Sequence, residues 1–67
     1  MLNERFDLRI RSADRVRGQW ESCGDIVERH SGKALGRVYG RGSSSAAAEQ
    51  ELQLEAERWL LKYTASR

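Results

Sequence analysis

The chain has 67 residues, 39% of them hydrophobic and 33% charged, with no proline, one cysteine and a formal charge of +2. A domain of this size buries about 60% of the surface its unfolded chain exposes, and a lone cysteine offers no disulfide framework to compensate, which excludes a small secreted disulfide scaffold. No apolar run approaches the ~20 residues that span a bilayer, and residues 1–10 lack the basic-then-apolar order of a signal peptide, so the expectation is one soluble, cytoplasmic domain over 1–67 that contacts no membrane.

Phe6, Leu8 and Ile10 alternate with Arg5, Asp7, Arg9 and Arg11, the period-2 pattern of a half-buried strand. Ser12-Ala13-Asp14 reads as a three-residue hairpin loop, after which Val16, Gly18, Trp20 and Ser22 alternate with Arg15, Arg17, Gln19 and Glu21 in a second strand. That register sets Ile10 beside Val16, Leu8 beside Gly18 and Phe6 beside Trp20. A competing reading makes Ser12 a helix N-cap and places Val16, Trp20 and Cys23 on one side of a short helix ended by Gly24. Gly18 and the absence of Glu or Gln at position 15 favour the strand.

Residues 25–39 read as a second hairpin with Ser31-Gly32 at its tip. Apolar residues fall on both faces there, Val27, Ala34 and Val38 against Ile26, Leu35 and Tyr39. Gly40-Arg41-Gly42 then breaks the pattern, and Ser43-Ser44-Ser45 offers N-cap hydroxyls to a helix over about 44–63. Ala48, Leu52, Ala56, Trp59, Leu60 and Tyr63 form its apolar stripe, and residues 64–67 read as a frayed tail. The predicted fold is α+β: a small antiparallel meander of three to four strands, over about 4–39, packed against one long C-terminal amphipathic helix.

Chemistry motifs are sparse. Cys23 and His30 are the sole members of their kinds, so a tetrahedral zinc site would need carboxylates for its remaining ligands, and neither residue has an evident orienting group for nucleophilic catalysis. Asp7, Asp14, Glu21 and Asp25 show no spacing that separates an acid from a base. The glycines and serines of residues 40–45 lack the third glycine of a dinucleotide fingerprint and the Gly-Lys-Ser/Thr end of a phosphate loop. The expectation is a non-enzymatic protein without cofactor or metal.

Arginine carries the functional signal. Ten of the twelve basic residues are arginine; residues 1–42 hold nine Lys/Arg against six Asp/Glu, a balance of +3, and residues 43–67 hold three against four, a balance of −1. Arginine forks bind carboxylates and phosphates in bidentate fashion and stack on aromatic rings. In the predicted register Arg9 lies opposite Arg17, Arg11 opposite Arg15 and Arg5 opposite Glu21, an unbalanced cationic cluster that costs stability. The predicted partner-binding residues are Arg5, Arg9, Arg11, Arg15, Arg17 and, at the strand-to-helix junction, Arg41.

The run from Gly40 to about Tyr63, a glycine-x-glycine turn followed by serine and an alanine-rich helix, resembles the end of a double-stranded-RNA-binding domain. In that family a lysine pair at the helix start meets phosphates; here Ser44, Ser45 and Ala46 stand there, so no phosphate-clamping residue carries over. In length and lack of motifs the chain is similar to small phage- or plasmid-encoded modulators, anti-CRISPR proteins among them. Two functions are expected from these features: docking of the arginine face on a larger protein with an acidic surface, as an inhibitor or modulator, or contact of the same arginines with nucleic acid phosphates. The acidic helix and the lack of stacking aromatics on that face favour the protein partner. A free sheet edge also admits a homodimer.

Overall fold

The computed structural model describes residues 3–65; the predicted tail residues Ser66 and Arg67 lie outside them, as do Met1 and Leu2. Three strands, β1 (Phe6–Val16), β2 (Gln19–Glu28) and β3 (Ala34–Gly42), form an antiparallel sheet in the order β1-β2-β3, followed by helix α1 (Ser45–Ala65). The α+β meander with one C-terminal helix is the fold expected from the sequence.

The first hairpin turns in a different place. β1 continues through Ser12, Ala13 and Asp14, and the loop is Arg17-Gly18, with φ of 51° and 82°. Two left-handed residues in a two-residue loop twist in the same sense as the strands they join. A bulge between Ile10 and Ser12 inserts Arg11 as an extra residue, and this moves the alternation by one position. Before it Phe6, Leu8 and Ile10 share a face with Ile26 and Gly24; after it Ala13 and Arg15 share that face with Ser22 and Trp20. In sequence the phase slip looks like a break. Phe6 therefore lies opposite Glu28 rather than Trp20, Leu8 opposite Ile26 and Ile10 opposite Gly24, and residues 12–23 contain no helix.

The second hairpin closes through the Glu28 N–H donating to the Lys33 carbonyl (2.9 Å), with Gly32 at φ 71° near its tip. A second irregularity, between Ile26 and Val27, leaves Leu35 as the extra residue on β3. That slip accounts for apolar residues on both faces: Ile26, Leu35 and Val38 belong to the core, whereas Val27 and Ala34 pair on the other side.

α1 covers one face of the sheet. Leu52 and Ala56 are buried against Phe6, Ile26 and Val38, with Leu8, Leu35, Trp59 and Leu60 packed around them, and Ala48 is buried against Gly40 and Gly42. Phe6 is the hub of the aromatic contacts, edge-on to Trp59 (6.4 Å between centroids) and Tyr63 (5.6 Å), which stack on one another at 5.0 Å. Burying each of Phe6, Ile26 and Leu52 contributes about 1.5–3 kcal/mol. Helix and β3 meet closely at Gly40, where a Cβ would sit 2.2 Å from the Leu52 amide nitrogen and 2.4 Å from the Ala48 carbonyl oxygen. The helix begins as predicted, with Ser44 Oγ accepting from the Ala47 N–H at 3.1 Å. It runs further than expected, because Thr64 lies within it and its hydroxyl donates to the carbonyls of Leu60 and Leu61.

Candidate functional site

Among the described residues, no element covers the second face of the sheet. Its central column is Glu21, Cys23, Asp25 and Val27 on β2, flanked by Asp7, Arg9, Ser12, Asp14 and Val16 on β1 and by Ala34, Arg37, Tyr39 and Arg41 on β3. At its centre Asp25 is only 7% exposed. Its carboxylate accepts from Arg11 Nη1 at 2.9 Å and from Arg37 Nε at 3.2 Å, joining all three strands through one acid. A second cross-strand pair lies towards the hairpin end, where Arg41 Nε donates to Glu21 Oε2 at 3.0 Å.

The Arg11 hydrogen bond, then the Arg37 hydrogen bond, holds the Asp25 carboxyl below its ordinary pKa, outweighing the opposing effect of burial. Arg37 is pushed the other way by the same bond to Asp25, and further by a hydrogen bond with Tyr39. Each guanidinium is held by a donor to Asp25, Nη1 of Arg11 and Nε of Arg37, which fixes where the fork stands. Arg37, Arg11 and Arg41 keep half or more of their side-chain surface open despite their ion pairs.

The structure places the six predicted arginines in four locations. Arg9, Arg11 and Arg41 share the uncovered face. Arg15 is on the helix-side face opposite Trp20, Arg17 is in the turn, and Arg5 is at the far end, 5.2 Å over the Phe6 ring and 4.0 Å from Glu28. The predicted oppositions of Arg9 with Arg17, Arg11 with Arg15 and Arg5 with Glu21 do not form; Arg9 faces Asp25 and Arg15 faces Trp20. With Arg9, Arg11, Arg37 and Arg41 set against Asp7, Asp14, Glu21 and Asp25, the face is balanced in charge. Sequence reasoning missed Arg37, Tyr39 and Asp25. The signal was present in the alternation Arg37-x-Tyr39-x-Arg41, and in Asp25 as the carboxylate next in phase after Glu21 and Cys23.

Cys23 lies mid-strand opposite Tyr39, while His30 is exposed in the second turn. Among the described residues no group of three or more His, Cys, Asp or Glu is placed to hold a metal ion, and no helix is long and apolar enough to cross a membrane. At the first hairpin an open hollow of about 350 Å³ is lined by Val16, Arg17, Gln19, Trp20, Glu21 and Arg41. Compared with known proteins, the chain matches no family model, no curated protein and no solved structure.

Proposed function

We propose that the protein is a non-enzymatic docking module whose uncovered sheet face engages a larger protein, blocking or modulating it in the manner of a small inhibitor. The observation that carries this reading is the Arg11–Asp25–Arg37 bridge at the centre of the sheet face opposite the helix. Arginine and tyrosine dominate the energetics of protein interfaces when they are held in place, and Tyr39, 53% exposed, stands beside Arg37. The partner's matching surface offers carboxylates for Arg9 and Arg41 and an apolar contact for Tyr39 and Val16.

Charge balance argues against the alternative. A polyanion gains affinity by the release of counterions from phosphates that meet unpaired cations, and here four carboxylates stand among the four arginines. The nucleic acid reading retains Arg15 and Arg17, which lie at the hairpin end away from that balance. Fluorescence anisotropy against random single- and double-stranded DNA and RNA separates the two. The docking reading expects no binding even at low salt, together with a partner retained on immobilised protein and lost from the Arg9→Gln/Arg41→Gln variant. Binding to nucleic acid that weakens tenfold or more between low and physiological salt would overturn it.

A further inference from the structure

The chain treats its two free sheet edges differently. On β1 the Asn3 carboxamide oxygen accepts from the Arg5 and Phe6 amides, each at 2.8 Å, the Asn3 N–H donates to the Phe6 carbonyl at 3.1 Å, and Asp7 Oδ1 accepts from the Leu8 N–H at 3.0 Å. The bulge at Arg11 then bends the strand. Side-chain capping and a bulge both blunt an edge that would otherwise pair with another chain. β3 has its own extra residue at Leu35 but past it runs in unbroken register against β2 from Gly36 to Gly42. In an antiparallel ladder the residues bond alternately to either side. With Glu28 bonded to Lys33 at the hairpin, Gly36, Val38 and Gly40 turn their amides towards β2, leaving those of Arg37, Tyr39 and Arg41 at the free edge.

Beside that edge runs a groove of about 470 Å³, formed by Arg37, Val38 and Tyr39 on the strand and by Glu55, Arg58, Trp59 and Lys62 on the helix. α1 lies directly above β3 at Gly40, so a strand added outside β3 would rest its inward side chains on the helix flank. Beyond Arg37, whose charge Asp25 balances on the sheet face, the groove carries Arg58 and Lys62 against Glu55, which pairs with Arg58, a balance of +1 centred on Lys62.

We infer that this groove accepts an extended acidic segment of another protein as a fourth strand, with main-chain bonds to β3 and its carboxylates towards Arg58 and Lys62. The aromatic floor at Trp59 takes an apolar side chain of the segment. This edge groove adjoins the uncovered face and shares Arg37 and Tyr39 with it, but its occupancy does not depend on the docking role of Arg9 and Arg41.

The test is a titration of the isotope-labelled protein, followed by amide NMR, with a synthetic peptide of alternating valine and glutamate. Strand addition expects shifts at the Arg37, Tyr39 and Arg41 amides and the Trp59 indole, and loss of binding when alternate peptide nitrogens are methylated. Arg58→Gln/Lys62→Gln, two exposed helix positions, weakens binding about fivefold, whereas Arg9→Gln leaves it unchanged. Absence of shifts, shifts confined to other strands, equal binding of a valine–lysine peptide or indifference to methylation would each overturn the inference. So would a dilution-dependent change at the same amides without peptide, which would mean that β3 pairs with a second copy.

Discussion

The Arg11 guanidinium lies 2.9 Å from the Asp25 carboxylate although the strand register sets Arg9, not Arg11, opposite Asp25. The bulge makes this contact: as the inserted residue, Arg11 leaves the ladder and brings its side chain to the acid that also holds Arg37 on β3. One carboxylate thus fastens both outer strands to the central one on the face that the helix does not support.

Stability should fall in acid through this residue. The folded-state pKa of Asp25 lies below its ordinary value of 3.8, so the ionised form stabilises the fold above that value and the contribution is lost as pH falls through the lowered one. Thermal unfolding of Asp25→Asn should show a lower Tm than the parent at pH 7, with the gap narrowing below pH 3.8. A constant gap would assign the loss to packing instead.

Gly40 has no room for a methyl group against the helix backbone. Gly40→Ala should cost about 3 kcal/mol, at the upper end for overpacking, because backbone rather than a flexible side chain must move. Urea unfolding reads it directly; a loss under about 1 kcal/mol would mean that α1 can lift from β3 without penalty.

Arg17 is the one non-glycine residue with positive φ among the described residues, held there by the two-residue loop. Arg17→Asn converts that loop into the Asn-Gly pair that such turns favour and should stabilise by about 0.5–1 kcal/mol. An unchanged or lower Tm would mean that the arginine side chain itself supports the hairpin.

Leu52 and Leu61 share a helix and differ in burial, 0% against 69% exposed. Leu52→Ala should lose about 2–5 kcal/mol by opening a cavity under Phe6 and Ile26, whereas Leu61→Ala should stay within about 0.5 kcal/mol. Comparable losses at the two positions would place Leu61 in a contact such as a dimer interface, and gel filtration would then identify it.

The sequence by itself determined the α+β class, the strand that opens at Phe6, the helix with its Ser44 cap and its stripe from Ala48 to Tyr63, and the Ser31-Gly32 hairpin, because each rests on a local rule: periodicity, capping or turn chemistry. Which arginines act together was decided by the tertiary structure. Single extra residues at Arg11 and Leu35 shift the phase of alternation, and a phase shift is resolved only by pairing with the neighbouring strand. Position along the chain grouped Arg9 and Arg11 with Arg15 and Arg17, and long-range pairing separated them and joined Arg9 and Arg11 instead to Asp25, Arg37 and Arg41. The same pairing turned an apparent cationic cluster into a neutral, cross-linked face, since Asp25, the carboxylate that binds both Arg11 and Arg37, lies more than ten residues from either in sequence.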